Sequence, residues 1–257
     1  MWAQKTAQCL SCTIAVGYPE RDITSDERRA YNSLVFVDHR GTVVGHSRKS
    51  FLYYTDETWA TEGSGFFVGD MQLGSSGRPA KAAKVAAGIC MDINPYKFEA
   101  PWTAYEFANH VLASNAELVI ISTAWLTRLS RVELLESPLS PDLDTVSYWL
   151  QRFQPLIETS GPQNEVIVVI ANRCGQEGVS PVMGEVNYAG SSTVIGMTRG
   201  DARSNGEARI WDILGRSEET LLVIDTDQMP RYRLKRSPPP EDQVLDTPHQ
   251  GISTPNQ

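Results

Sequence analysis

Basic residues are outnumbered: 23 Lys and Arg stand against 31 Asp and Glu, a formal charge of −8. No Lys/Arg-rich face is visible, which excludes a nucleic-acid surface built on phosphate contacts. Cysteine is scarce, with four in 257 residues. That density excludes a disulfide framework and fits a reducing, cytoplasmic setting. Long apolar runs are missing. The longest is far too short to span a bilayer, and no charged-then-apolar leader opens the sequence, so no membrane role is expected. Histidine is rare, and His39, His46, His110 and His249 are scattered. No internal repeat is present.

The length suits one large domain with a real core. Trp2 to Gln8 reads as a helix without an N-cap. Strand-like segments follow at Leu10–Val16, Ser33–Val37 and Thr42–His46, the last two joined as a hairpin by Asp38-His39-Arg40-Gly41. Cys9-Leu-Ser-Cys12 matches C-x-x-C, but it has no second close pair for zinc and runs into a strand. Two small strand residues are the expected reading. Leu73 to Lys84 reads as a surface loop. Further strands are expected at Glu117–Ser122, Glu165–Ala171, Ser192–Ile195 and Thr220–Asp225. A helix capped by Asp144 carries the apolar face Val146, Trp149, Leu150, Phe153, Leu156 and Ile157. From about Pro230 the proline-rich segment RYRLKRSPPPEDQ reads as an unstructured tail over 230–257. Helices alternating with strands, plus a hairpin, predict a layered α/β domain with a mixed sheet.

The most informative stretch is GICMDINPY, Gly88 to Tyr96. An apolar run stops on Cys90, and Pro95 ends strand pairing. Pro101 to Asn115 then carries an apolar stripe at helical spacing. Cys90 is therefore expected at a strand-to-helix turn, where a nucleophile is exposed yet rigid. A thiolate attacks, and a nearby cation lowers the thiol pKa. Lys49, at the end of another strand, is the candidate cation, and Glu57 the candidate orienting or proton-moving carboxylate. The Met91 N–H is placed to join an oxyanion hole. Asp92 either meets a substrate α-ammonium or bonds the turn backbone. Trp125 walls a pocket or packs in the core. Asn172 and Arg173 follow a buried strand and hold groups near the site.

Four sets of residues, Arg48-Lys49-x-x-Leu52…Glu57, Gly88-Ile89-Cys90-Met91-Asp92…Pro95, Ala171-Asn172-Arg173 and Ala189-Gly190-Ser191-Ser192, together resemble the nitrilase (carbon–nitrogen hydrolase) superfamily in order and spacing. Within it, GICMDINPYKFEAPW and Ser122-Thr123-Ala124-Trp125 resemble fungal protein N-terminal amidases. The resemblance spans Trp2 to about Asp227. It implies a four-layer α-β-β-α sandwich over 1–229 and a Glu–Lys–Cys site in which Cys90 is the nucleophile, Lys49 the catalytic lysine and Glu57 the second glutamate. It implies no metal and no organic cofactor. Its substrates would be protein or peptide N-termini bearing Asn or Gln, with release of ammonia to feed a degradation signal. A homodimer is one arrangement it allows.

The family's general base is a glutamate upstream of the helix that here begins at Trp2. The chain is therefore expected to lack the first strands and helix of the sandwich, and to hydrolyse amides poorly or not at all. Glu20 and Glu27 are weighed as substitutes and expected to face solvent. Three alternatives stay open: a small-molecule amidase or nitrilase of the same superfamily, a Cys–His thiol hydrolase, and an inactive remnant that only binds.

Overall fold

The computed structural model describes residues 2–23, 29–74, 81–158, 164–180, 184–200 and 206–235. Helix α1 (Trp2–Leu10) leads into an antiparallel three-stranded sheet of β1 (Ile14–Arg21), β2 (Ala30–Val37) and β3 (Val43–Arg48), with β2 central. The large sheet comprises β4 (Phe67–Leu73), β5 (Lys81–Ile89), β6 (Leu118–Thr123), β7 (Val166–Asn172), β10 (Thr193–Thr198), β11 (Glu207–Ile213) and β12 (Tyr232–Lys235). Its order is β12-β11-β10-β7-β6-β5-β4. Only β5, β6 and β7 run parallel to one another. A separate ribbon pairs β8 (Cys174–Ser180) with β9 (Gly184–Ala189). Helices α2 (Glu106–Ser114), α3 (Arg131–Glu136), α4 (Leu143–Arg152) and α5 (Pro155–Glu158) fill the connections.

The period-2 alternation of strand side chains makes the layers. On β6, Val119 and Ile121 face one way, into a core with Phe107 and Val111 of α2 and Val146, Trp149 and Phe153 of the α4 region. Leu118 and Ile120 face the other way, toward a second core where Leu34 and Phe36 of β2 meet Val85, Ala87 and Ile89 of β5. The small sheet thus stacks on one face of the large sheet and the helices cover the other. Outside the small sheet, α1 buries Ala7 and sends Gln4 and Gln8 to the Gly41 and Arg40 carbonyls. The layer order is α-β-β-α.

Several expectations shift by local physics. Cys9 lies in the last turn of α1 and Cys12 in the turn after it, so neither is a strand residue. The Leu73–Lys84 loop shrinks, because β4 and β5 pair from Leu73 and Lys81; residues 75–80 lie outside the described residues. Asp142, not Asp144, caps α4, its carboxylate accepting the Thr145 N–H at 3.1 Å. Thr220–Asp225 pairs with no strand among the described residues, and Leu221 and Val223 are exposed. Tyr232–Lys235, assigned to the tail, instead extends the large sheet beside β11. The remainder of that tail, 236–257, lies outside the described residues. No helix among the described residues is long and apolar enough to cross a membrane.

Candidate active site

Parallel β5, β6 and β7 end in register, with Ile89 opposite Ser122 and Thr123 opposite Asn172. Ligands of α/β sheets gather beyond such carboxyl ends. Cys90 follows Ile89 directly and opens a single 3-10 turn, Cys90–Ile93, with φ +47°. That left-handed backbone is rare for a residue with a Cβ. The turn is held from behind. Arg152 of α4, 2% exposed, donates from Nε to the Ile93 carbonyl at 2.7 Å and from a terminal nitrogen to the Trp102 carbonyl at 2.5 Å.

Cys90 is half-buried. Burial pushes its thiol pKa up, while Lys49, the Thr123 hydroxyl and the Ala124 N–H pull it down and Asp56 adds to the rise. The Thr123 Oγ1 is buried and has no hydrogen-bond partner within ordinary geometry among the described residues. Lys49, only 3% exposed, forms a buried ion pair with Asp56. Asp56 also accepts the Tyr53 N–H at 3.0 Å and the Asn32 amide at 3.1 Å. A buried ammonium demands such a partner.

The carboxylate beside Lys49 is thus Asp56, and Glu57 is exposed. The reason is local. Residues 56–58 form one 3-10 turn whose first two N–H groups donate to the Tyr53 carbonyl. Neighbours on such a turn point about a third of a circle apart, so Asp56 faces inward and Glu57 outward.

Asp92 is 1% exposed and bonds backbone only, accepting the N–H groups of Ser50 at 2.9 Å, Phe51 at 2.8 Å and Ile89 at 2.7 Å. Burial raises its pKa to about 6 against the pull of those three donors. It cannot meet a substrate ammonium. Met91 lines the cavity, in the first turn of a helix, where N–H groups lack partners within the turn. Asn172 stays out of that cavity. It accepts the Trp125 N–H at 2.7 Å and donates to the Gly190 carbonyl at 2.8 Å, so it positions Trp125. Arg173 is exposed, pairing with Glu177 at 3.1 Å and stacking over Tyr188. Glu20 does not face solvent. Its carboxylate takes Arg48 at 2.5 Å, Ser33 at 2.6 Å and His46 at 2.9 Å. Glu27 lies outside the described residues.

Cys90 opens into a cavity of about 400 Å³ lined by Tyr53, Asn94, Phe98, Trp125 and Arg128 among others. Trp125 is fixed edge-on against Trp149, with ring centroids 6.0 Å apart. Asn94 is fixed by the Tyr148 hydroxyl, which donates to it at 2.6 Å. Tyr53, Asp56, Asn94, Phe98, Thr123 and Arg128 were not singled out from sequence. Asn94, Phe98 and Thr123 carried a signal only as members of the motifs that resemble the family, and Asp56 as a second acid beside Glu57.

The Glu20 knot makes a pH prediction. Its hydrogen bond to Arg48 is the main cause holding its pKa down at about 2. A depressed carboxylate contributes stability above its ordinary pKa and loses it as pH falls through the folded value. The wild type is expected to exceed Glu20→Gln by about 1–2 kcal/mol at neutral pH, with the gap closing between about pH 4.5 and 2. Urea unfolding across that range checks it, and a gap that does not change with pH contradicts it.

A cysteine on a strained strand-end turn thus stands with a buried lysine–carboxylate pair at the mouth of a pocket, an arrangement suited to thiol-based acyl chemistry. Comparison with known proteins places it further. Residues 2–95 match the carbon-nitrogen hydrolase family model. The chain is 31% identical to the protein N-terminal amidase of Schizosaccharomyces pombe over 240 residues, covering 88% of this chain and 74% of that one. It is 33% identical to the protein N-terminal amidase of Saccharomyces cerevisiae over 138 residues, 50% of this chain and 30% of that one. A crystal structure of an N-terminal amidase with a Gln-Val peptide superposes with a TM-score of 0.67 at 21% identity, covering 84% of this chain and 78% of that one. The chain belongs to the carbon–nitrogen hydrolases, the nitrilase superfamily.

Proposed function

We propose that this chain hydrolyses the side-chain amide of an N-terminal Asn or Gln in proteins or peptides, with Cys90 as nucleophile. The observation that carries the reading is Cys90 at the mouth of the cavity, with Lys49 acting on its sulfur from a buried pair with Asp56. The Cys90 sulfur attacks the amide carbon. Lys49 and the Met91 N–H stabilise the oxyanion. The thiol proton ends on the leaving nitrogen, ammonia departs, and a thioester remains. Water then adds to the thioester, the sulfur leaves as a thiol, and the product carries N-terminal Asp or Glu. In the cytoplasm that new terminus would serve as a degradation signal. The substrate assignment rests on the relatives named above.

No carboxylate or imidazole lines the Cys90 cavity among the described residues. Deprotonation of a raised thiol is therefore slow, and so is activation of the hydrolytic water. Slow turnover and an accumulating thioester are expected. Incubation with Asn- and Gln-initiated peptides, read by ammonia release and intact mass, tests this. The expected result is a covalent adduct on Cys90 that forms faster than ammonia appears in later turnovers. Neither adduct nor ammonia from any N-terminal or free amide would leave only a binding role.

A further inference from the structure

Asp92 is the one carboxylate at the site that this chemistry leaves unused. Its two oxygens join two separate pieces of chain. One accepts the N–H groups of Ser50 and Phe51, the two residues after Lys49, at 2.9 and 2.8 Å. The other accepts the N–H of Ile89, the residue before Cys90, at 2.7 Å. The first piece leaves the small sheet at the end of β3, and the second ends β5 of the large sheet. We propose that Asp92 is a positioning residue: it clamps the backbone carrying Lys49 to the backbone carrying Cys90 and so sets the lysine's grip on the thiol. The inference rests on Cys90 as the nucleophile but on no particular substrate.

Packing keeps the side chain in place. Asp92 is 1% exposed, and a Cβ at Gly88 would sit 3.3 Å from the Asp92 Cβ, so the side chain lies against the bare backbone of β5. The groups around it are few. Lys49 comes from the loop after β3 and acts on both Asp92 and Cys90. Asp56 comes from the short turn beyond and holds the Lys49 ammonium. Helix α2 sends Glu106 to the Tyr96 N–H and His110 to the Phe67 carbonyl. Strand β6 carries no titratable side chain.

The same three bonds make the clamp respond to pH. Hydrogen bonds to an ionised carboxylate are about twice as strong as neutral ones. Burial places the Asp92 transition at about 6. Below it, the neutral acid holds the Lys49 loop less firmly.

Alkylation by iodoacetamide reads the thiol without any substrate. Wild type and Asp92→Asn are compared from about pH 5 to 9, with each cysteine quantified by peptide mapping. Charge and positioning predict opposite signs. Removing a negative charge eases thiol ionisation and speeds Cys90. Loosening Lys49 slows it, by about tenfold for roughly one pKa unit. The expected result is slower Cys90 alkylation in Asp92→Asn, with Cys12 and Cys174 unchanged as internal references. The wild-type profile is expected to show a second inflection near the Asp92 transition that the variant lacks. Equal or faster alkylation of Cys90 in folded Asp92→Asn overturns the clamp. Should that variant not fold, a wild-type profile with the thiol inflection alone overturns it. A Cys90 that resists alkylation throughout sinks the nucleophile reading itself.

Discussion

Replacing Lys49 by methionine is expected to cost about 3–5 kcal/mol of folding stability, because it leaves Asp56 as an unpaired buried charge. The Lys49 and Asp56 side chains are only 3% and 8% exposed, so water cannot take over. The Tyr53 N–H and the Asn32 amide still reach Asp56, which tempers the loss without neutralising the charge. The double variant Lys49→Met/Asp56→Asn removes both charges and keeps an acceptor for the Tyr53 N–H. It is expected to recover most of the loss, since replacing a buried pair outright is often close to neutral. Urea unfolding of the four proteins in a double-mutant cycle measures this. A single-variant cost under about 1 kcal/mol would show that the pair is solvated or that Asp56 takes up a proton easily. The same variant removes the cation acting on Cys90, so its thiol transition is expected to move up.

The outcome bears on how much of this site is legible in the chain. Cys90 is legible because two signals coincide there: a buried apolar run ends on it, and Pro95 forbids the strand to continue. Lys49 is legible from its place at the end of a hairpin arm. The carboxylate is not. Asp56 and Glu57 are adjacent acids, and only the phase of one 3-10 turn decides which faces Lys49. A turn that short leaves no periodicity to read. Asp92 shows the complementary failure. Its sequence position, two residues after Cys90, suits contact with a substrate. Two of its three partners are backbone N–H groups about forty residues away, which no local pattern encodes.

The fold repeats the contrast. Segments with strong apolar character, such as Val166–Asn172 and the face of α4, stand close to where pattern alone puts them. The β8–β9 ribbon escapes because its first strand, CGQEGVS, has little apolar content and is held by pairing with the more buried β9. Thr220–Asp225 misleads for the opposite reason. It alternates like a strand, yet no edge among the described residues receives it, and β12 takes the place beside β11.

The strain at Cys90 separates chemistry from stability. A left-handed φ of +47° costs a side-chain-bearing residue about 1–2 kcal/mol. Glycine avoids that cost but gives back about 0.5–1 kcal/mol through its freer unfolded chain. Cys90→Gly is therefore expected to be about 0.5–1 kcal/mol more stable than Cys90→Ala, which keeps the strain and loses the sulfur. Both variants are expected to form no covalent adduct and release no ammonia, a complete loss set against a small gain in stability. Urea unfolding ranks the two, and intact mass after exposure to an Asn-initiated peptide checks the chemistry. Alanine matching or exceeding glycine would mean that the turn relaxes once the sulfur is gone. Glycine exceeding alanine means that the backbone itself holds Cys90 in a costly conformation. A cost retained at a residue whose side chain opens into the pocket supports the proposed nucleophile role.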